Sequence, residues 1–457
     1  MNKRYGKLVA LATGTALICF AFASAVAGSG PAGTYTLEQM VKEQQRQLDT
    51  QASEIAELKE QLKAILGATR QNQEALTAKA DKKEIENLKV DKMVTSSNKD
   101  VDLNLYGQIN RAVLWADNGD SSSTYFVDNI FSSTRMGLNA QAGINDDLTI
   151  GAKIEYEITS NRSNRVNQFD HSLRADFNHR HTFVSLDSQK FGKISLGHTH
   201  SASDGTAEMD LSGTKVISYS AVNFFAGGQI WNDSSDSPSL FDPGDDIHLL
   251  EGEVRENIES LHVDQTMRNM DGLSRRDLVR YDTPSLGGFT LAGSAIEDGA
   301  FDLAARYERK FDDFTVVGAL AWATPGDLLE FLVRWDNQYD GSISFLHSSG
   351  VNITVAGGQQ DFDEQITSDD PSYWYGKLGY RADLFSSGES AFAIDYGQWQ
   401  NFAADGDQAD SIGLAFVQIV KDWGTDFYIS YRWYGLDRDN ADFDDINGVM
   451  AGARVKF

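Results

Sequence analysis

Residues 148–157 read LTIGAKIEYE, and this stretch decides the class of fold. Apolar residues take every second position, at Leu148, Ile150, Ala152, Ile154 and Tyr156. Polar residues or glycine lie between them, so an extended chain here has one apolar and one polar face. The same contrast recurs in residues 301–308. A membrane β-barrel has strands of this kind, but a water-soluble β-sandwich alternates too, so the pattern alone leaves both folds open.

The composition excludes several classes of protein. The 457 residues include 67 Asp and Glu against 40 Lys and Arg, which gives a net charge of -27 and excludes a nucleic-acid binder. Aromatic residues make up 11% of the chain, too many for a disordered tail, and a single cysteine excludes a disulfide scaffold. From residue 102 onward, no run of eighteen apolar residues occurs, so this region has no candidate membrane helix.

The first 27 residues have the pattern of a secretory signal peptide. A basic start with Lys3, Arg4 and Lys7 precedes an apolar run over residues 8–23 and an A-x-A cleavage site at residues 25–27. The alternative, a membrane anchor, is weaker because the apolar run is short and is interrupted by residues 13–15. Cys19 lies within the signal, so the mature chain is expected to be exported and free of cysteine.

Residues 36–66 have the seven-residue repeat of a coiled coil. One position of the repeat is held by Val41, Leu48, Ile55 and Leu62, and the partner position by Leu37, Gln44, Gln51, Leu58 and Ile65. The two glutamines weaken the seam and are expected to set register or oligomeric state. A single amphipathic helix resting on another surface is the alternative. Residues 67–101 are expected to be a polar linker.

Three observations favour a membrane barrel over a soluble sandwich for residues 102–457. Export without cysteine is common in the bacterial envelope. The chain ends on an alternating strand with Phe457 last, which resembles the signal that outer-membrane barrels present to their assembly machinery. Short and long connections also alternate, as they do between the periplasmic turns and external loops of such barrels. The expected fold is therefore an all-β transmembrane barrel preceded by an α-helical coiled coil.

Sixteen antiparallel strands are predicted, an even number that places both ends of the barrel on one side and leaves no free edge. The first is 102–116, the second 130–144, the tenth 341–348 and the last 446–457, while 324–340 is predicted to be an external loop with a strand-like end. Aromatic residues near strand ends are expected at the membrane interfaces, with packing against loops as the alternative for each: Trp115, Trp322, Tyr373, Trp374, Trp399, Trp423, Tyr431 and Trp433.

Several segments resemble the Gram-negative trimeric porin superfamily. The matching segments are LNLYGQ at 103–108, STRMGL at 133–138, DLTIGAKIE at 147–155, residues 180–186, FGKISLG at 191–197 and YDTPSLGGFTL at 281–291. His198 departs from the family pattern, which often has Arg there. A coiled coil before the barrel is similar to the DcaP-like porins, and also to phosphate-selective porins.

This resemblance implies a homotrimer in the bacterial outer membrane, with the coiled coil in the periplasm. The barrel would be embedded in outer-membrane lipid and lipopolysaccharide, and its assembly machinery would recognise Phe457. The function implied is a water-filled channel for passive diffusion of small hydrophilic solutes, favouring small anions such as dicarboxylates. Residues 201–273, the longest connection, would fold into the lumen as a constriction loop.

The residues expected to carry selectivity are two groups of opposite charge. Alternation places basic side chains of several strands on the polar face, where they form one wall of the pore: Arg135, Lys153, Arg276, Arg280, Arg306, Lys377 and Arg381. The facing acidic residues of the long loop are Asp204, Glu208 and Asp210. Two other interpretations remain open. The basic residues are ordinary lumen charges paired with neighbouring acids, or the loop carboxylates face external water and bridge lipopolysaccharide through divalent cations.

Two alternative functions remain open, a non-selective general porin and a plugged barrel that acts as a surface-binding or structural protein. An enzyme is not expected, because the sequence has no G-x-S-x-G and no convincing catalytic triad. No cofactor and no metal are expected either. Histidines 179, 181, 198 and 200 alternate, but they belong to two strands and no further ligand completes a set.

Overall fold

A computed structural model describes residues 100–235, 260–326, 335–362 and 369–457, together with Glu60 and Asn98. The predicted signal peptide, the predicted coiled coil apart from Glu60, and most of the predicted linker lie outside the described residues. The strands between Asp102 and Lys456 form one antiparallel sheet that closes on itself, because β1 pairs with β18 from Gln108↔Lys456 to Asp117↔Asn447. In the described part of the chain, no helix is long and apolar enough to cross a membrane.

The strands are β1 (Asp102–Asp117), β2 (Ser122–Asp128), β3 (Arg135–Gly143), β4 (Leu148–Thr159), β5 (Asp176–Ser188), β6 (Gly192–His200), β7 (Arg275–Asp282), β8 (Phe289–Ile296), β9 (Phe301–Lys310), β10 (Phe314–Thr324), β11 (Trp335–His347), β12 (Val351–Phe362), β13 (Ser372–Phe385), β14 (Gly388–Gln400), β15 (Gln408–Val420), β16 (Thr425–Arg438), β17 (Ala441–Asp442) and β18 (Ile446–Lys456). The described residues also form two short α-helices, α1 (Asn223–Ala226) and α2 (Val263–Thr266). β2 and β3 share one position and β17 only extends the end of β16, so the barrel has sixteen strand positions.

The second strand position is interrupted, and here the predicted strand 130–144 is correct only from Arg135 onward. The far half of β1 pairs with β2, and its first half pairs with β3. Between them the chain makes a short 3-10 turn, Ile130–Ser132, in which the Asn129 side chain accepts a hydrogen bond from the Phe131 N–H. Such Asn side-chain bonds compete with the strand ladder, and the turn places Phe131 and Ser132 beside the lumen.

Alternation separates an apolar outer surface from a polar interior. On β4, the Ile150 and Ile154 side chains are 46% and 45% exposed on the outside, whereas Glu155 and Glu157 inside are 4% and 5% exposed. This is the reverse of a soluble sandwich, where the apolar face is the buried one. Charged residues lie inside because their hydrogen-bonding partners are there.

Turns on the side where both barrel ends lie are short, as predicted. At the predicted turn 349–350, Gly350 has φ of +92°, and a Cβ there would lie 1.9 Å from the Arg381 carbonyl oxygen. Only glycine fits this position. At the opposite end of the barrel, β11 begins at Trp335, six residues before the predicted strand 341–348. The connection between β10 and β11 is therefore shorter than the predicted loop 324–340.

The aromatic residues divide into two groups. Trp115, Trp374 and Trp423 are exposed on the outside, as expected of an interfacial belt. Tyr373 and Trp399 instead face inward and are buried, with their rings stacked at a centroid distance of 6.0 Å. The Trp399 indole N–H donates to the Arg268 carbonyl oxygen, so these two rings pack against the long loop rather than lipid.

Candidate functional site

The connection between β6 and β7, residues 201–274, is here called the inserted loop, and its described residues, 201–235 and 260–274, pack against the inside of the barrel wall. Its first residues are fixed to β9, since the Asp302 carboxylate accepts hydrogen bonds from the backbone N–H groups of Ala202 and Ser203 at 3.2 and 2.9 Å. Further along, Ser342 and Ser344 of β11 accept bonds from the N–H groups of Met209 and Leu211. The barrel wall therefore supplies partners for backbone groups of the loop that would otherwise be buried without them.

A buried ion pair holds the middle of the inserted loop. The Lys377 ammonium of β13 lies 2.7 Å from the Asp210 carboxylate, and the two side chains are 0% and 1% exposed. The same ammonium donates to the Ser218 carbonyl oxygen at 2.6 Å and to the Thr214 hydroxyl at 3.1 Å. One lysine thus joins several points of the loop to the wall.

A second buried pair continues the attachment. Arg432 of β16 and Asp395 of β14 are both 0% exposed and are joined by two hydrogen bonds of 2.8 and 3.0 Å. Asp395 also accepts a bond from the Ser218 hydroxyl at 2.7 Å, and the Tyr434 hydroxyl donates to the Val222 carbonyl oxygen. The described part of the inserted loop is therefore attached to β9, β11, β13, β14 and β16.

A cavity of about 960 Å³ remains between the inserted loop and the wall formed by β3, β5, β7 and β9. Its basic lining residues are Arg135, Arg162, Arg180, Lys215, Arg268, Arg275, Arg276, Arg280 and Arg306. Its acidic lining residues are Glu157, Asp204, Glu208 and Asp271. Positive charges exceed negative ones here by nine to four, the opposite of the balance of the whole chain.

A smaller cavity of about 500 Å³ lies on the other side of the loop and is also lined by more basic than acidic residues. The two cavities share Phe131, Ser132, Arg135 and Lys215. These four residues therefore lie where the cavities meet. Arg135 belongs to β3 and Lys215 to the inserted loop, so cationic groups border this narrow region from two sides.

The carboxylates of the inserted loop do not titrate alike. Burial raises the pKa of Asp271 well above its usual value, and the nearby charges of Glu208 and Asp204 raise it further. Burial also raises the pKa of Glu208, although Lys215 opposes this. For Asp204 burial is outweighed by His200, whose Nδ1 lies 2.5 Å from the carboxylate, and by Arg275, so its pKa is lowered. The loop consequently carries less negative charge than its sequence suggests.

Four of the predicted basic wall residues line the large cavity together, namely Arg135, Arg276, Arg280 and Arg306. Arg381 lines the smaller cavity, where it pairs with Glu389 at 2.8 Å. Lys153 lies 3.4 Å from Glu155 and over the Tyr106 ring, as in the alternative of paired lumen charges. Lys377 is buried under the inserted loop.

Of the predicted loop carboxylates, Asp204 and Glu208 line the large cavity. Asp210 is bound by Lys377 and lines the smaller cavity, so these two predicted residues of opposite groups neutralise each other outside the large cavity. In the described part of the chain, no group of three or more His, Cys, Asp or Glu has the arrangement of a metal site.

Sequence reasoning missed Arg180, one of the most strongly bound basic residues. Simple alternation would place it outside, opposite in direction to His181. A bulge in β5 leaves Arg180 without a cross-strand partner, since Glu155 pairs with His181 and Tyr156 with His179. The extra residue turns inward, where Arg180 binds Glu155 at 2.7 Å and Glu157 at 2.8 Å.

Arg162, Arg268 and Arg275 were missed for a different reason. Arg162 and Arg268 belong to connections, and Arg275 is the first residue of β7, where alternation would turn it to the face opposite Arg276. The one signal in the sequence that could have identified these three arginines is that they are basic residues in or next to the connections between strands. A close contact confirms the placement of Arg162, whose guanidinium binds Glu157.

A closed barrel whose lumen is narrowed by an inward loop defines a class of outer-membrane channel proteins. The family model of the Gram-negative porins matches residues 75–440. The chain therefore belongs to the Gram-negative porin family, and it forms a channel in the outer membrane. No curated protein matches the sequence.

Solved structures share the fold at low sequence identity. The anion-selective porin from Comamonas acidovorans is 17% identical, with a TM-score of 0.50, over 78% of this chain and 100% of that one. The outer membrane channel DcaP of Acinetobacter baumannii is 12% identical, with a TM-score of 0.45, over 79% and 99%. A loop-deletion form of OmpT, an outer membrane protein of Vibrio cholerae, is 14% identical, with a TM-score of 0.48, over 78% and 100%.

Proposed function

We propose that this porin favours the passive diffusion of small anions, including dicarboxylates. The observation that carries the proposal is the charge of the large cavity, where nine Arg and Lys side chains meet four carboxylates although the chain as a whole is strongly acidic. A narrow passage lined with fixed cations replaces part of the hydration of an anion and repels a cation. The acidic outer parts of the chain do not reverse this effect, because charges far from the narrow region are screened by salt.

Among the described residues, some of the cations that line the large cavity have no acidic partner. Within the described residues, Arg276 donates to the Leu273 carbonyl oxygen and Arg268 to the Asp264 carbonyl oxygen, both neutral groups. Arg280, by contrast, is held by both oxygens of Asp282. Arg306 likewise donates to a neutral group, the Asp204 carbonyl oxygen. Arg276, Arg268 and Arg306 are therefore proposed to contribute most to selectivity.

Dicarboxylates suit this arrangement because cations lie on more than one side of the passage. Arg276 belongs to β7, whereas Lys215 and Arg268 belong to the inserted loop. A solute with a negative charge at each end engages both sides, while a monovalent anion engages one at a time. Raised pKa values of Glu208 and Asp271 support the proposal further, since they reduce the opposing negative charge.

The test is the zero-current potential of the purified protein in planar bilayers with a potassium chloride gradient. The proposal predicts the sign of a chloride-selective channel and a smaller potential for Arg276→Ala. Arg309→Ala is the matched control, because Arg309 lies at the end of β9 over the Phe311 ring and does not line the cavities. A cation-selective potential, or equal effects of the two substitutions, contradicts the proposal. Current block by dicarboxylates, monocarboxylates, phosphate and sugars then ranks the solutes.

The channel is further proposed to work as a homotrimer in the outer membrane, surrounded by lipid and lipopolysaccharide. Membership of the porin family supports this assembly. The heptad pattern of residues 36–66 adds to it, since helices from three barrels would pack along one axis in the periplasm. The Phe457 terminus, which pairs with Gly107, is proposed to be the segment recognised by the barrel-assembly machinery.

A further inference from the structure

Polar residues lie on the outer face of β5, β6 and β7, where apolar residues are expected. One cross-strand row on this face is apolar and exposed, with Val184 paired to Leu196 and Leu196 to Val279. The neighbouring row on the same face lies two residues closer to the external end of the barrel. It is formed by Thr182, His198 and Asp277, which are again direct cross-strand partners. Together with His179, these three residues are here called the outward polar row.

The outward polar row is joined by contacts on the barrel surface. The His198 Nδ1 atom lies 3.2 Å from the Asp277 carboxylate, and the His198 ring stacks on His179 with centroids 4.3 Å apart. His179 in turn contacts Thr182 at 2.6 Å. The Asp277 side chain is 66% exposed, and in the described residues its contact is with His198.

The row lies at the depth of the hydrocarbon. Tyr281, whose hydroxyl donates to the Phe191 carbonyl oxygen, marks the periplasmic aromatic boundary on β7. Asp277 lies four residues before Tyr281 on β7, toward the external end of the strand, which at about 3.3 Å per residue and a tilt of about 40° corresponds to about 10 Å of height. The apolar band of such barrels is about 25 Å tall, so Asp277 falls inside it. Acyl chains offer a carboxylate no partner.

A cation lies at membrane depth on a different outer face. Arg111 of β1 lies between Ile109 and Val113, which are exposed apolar residues of the outer surface. Its guanidinium lies 3.7 Å from Asp128 and remains 43% exposed. β1 and β7 are five strand positions apart around the barrel. One molecule thus has an anionic and a cationic group on two separate faces of its apolar band.

We propose that a second copy of this chain covers the outward polar row, with Arg111 of the partner subunit beside Asp277. Two different, complementary faces on each molecule make a head-to-tail contact, and such contacts close into a ring when the rotation permits. The proposal rests on the proposed homotrimer and identifies the faces that form it. The buried ionic contact removes both groups from lipid.

Cysteine cross-linking tests which faces meet. The chain has one natural cysteine, Cys19, in the predicted signal, so introduced cysteines are expected to be the ones present after export. A variant with both Asp277→Cys and Arg111→Cys, treated with a short bifunctional maleimide, is expected to form covalent dimers and trimers. Each single variant is expected to stay monomeric on a denaturing gel. A control with Asp277→Cys and Leu378→Cys, whose second site is on the outer face of β13, is expected not to cross-link.

Cross-linking of the control to the same extent, or of Asp277→Cys alone, overturns the proposed faces. Native mass in detergent separates the two levels of failure. A monomeric native protein refutes the trimer and the interface together, whereas a trimer in which the Asp277 and Arg111 cysteines do not react refutes the interface alone. Bilayer conductance tests the channel function independently of both.

A second variant, Asp277→Leu, distinguishes a partner subunit from lipid by the sign of its effect. If Asp277 faces lipid, leucine is better suited to the position, and the oligomer or barrel should resist heat in SDS at least as well as the natural protein. If Asp277 faces Arg111 of the partner subunit, the substitution removes the ionic contact between the two copies and leaves Arg111 with its Asp128 contact alone among carboxylates, so the oligomer should dissociate at a temperature lower by several degrees. Equal or higher resistance overturns the proposal.

Discussion

Replacing Lys377 with methionine should release the inserted loop from the wall. Lys377 and Asp210 are 0% and 1% exposed, so the substitution leaves the Asp210 carboxylate buried without its counter-charge. Removal of one partner of a buried ion pair costs about 3–5 kcal/mol. Since about 1.4 kcal/mol corresponds to a tenfold change in an equilibrium, the balance between attached and released loop should shift by at least about 100-fold. The Ser218 carbonyl oxygen also loses its 2.6 Å donor.

Two assays report the release. Single-channel recordings should show a larger and noisier conductance, because the loop no longer narrows the lumen at a fixed place. Limited trypsin digestion should cut after Lys215, which lies in the released segment. Lys421→Met is the control, because Lys421 is exposed in a turn, and both readouts should stay unchanged.

The double variant Lys377→Met with Asp210→Asn separates charge from contact. It removes the unpaired charge while the asparagine oxygen still accepts from the Ser212 N–H, as Asp210 does at 2.6 Å. Buried pairs replaced on both sides are often nearly neutral in stability, so conductance and protease resistance should largely recover. An unchanged Lys377→Met single variant, or a double variant as loose as the single one, refutes the reasoning that this pair holds the loop.

Two further predictions concern the charges in the lumen. Burial raises the pKa of Glu208, so this carboxylate binds a proton at a higher pH than an ordinary glutamate and its negative charge is lost as the pH falls. Anion preference should therefore increase as the pH is lowered. In zero-current potentials, Glu208→Gln should have a higher anion preference than the natural protein at alkaline pH and a flatter pH dependence. A pH response as steep in the variant would exclude Glu208 as its source. Asp395→Asn leaves the fully buried Arg432 unpaired and should destabilise the barrel by about 3–5 kcal/mol, seen as a lower temperature of the heat-induced gel shift, whereas exposed Asp312→Asn should have no effect.

Most strands were predictable because apolar and polar residues alternate within the sequence of each strand. Alternation in residues 148–157 records which face meets lipid, and a turn such as 349–350 contains the glycine its backbone requires. The interruption after β2 was not predictable from alternation, since it depends on Asn129 and on the partners that β1 offers. Gln108 and Asn110 of β1 both donate to the Ser132 carbonyl oxygen.

The site was less predictable than the fold, because alternation gives the direction of a side chain but not what covers it. Lys377 does point inward as predicted, yet the inserted loop lies over it and brings Asp210 against it. That contact joins residues 167 positions apart, and no local pattern records it. Arg180 was missed because one extra residue in β5 reverses the alternation from that point.

The outer surface shows the same limit. Alternation correctly turns His198 and Asp277 outward, but an outward position implies lipid only if no second molecule covers it. The alternation of residues in one strand does not predict contacts between two copies of the chain. The polar character of the row is the signal that does remain in the sequence, and it becomes meaningful once the register places its members side by side.

The central claim is that an aqueous path passes between the inserted loop and the basic wall. Single-channel recording of the purified protein in planar bilayers tests it most directly. The account predicts discrete, ohmic conductance steps that are reduced by dicarboxylates added to one side. A membrane that contains correctly folded barrels and shows no steps would mean that the lumen is sealed, and would contradict the account.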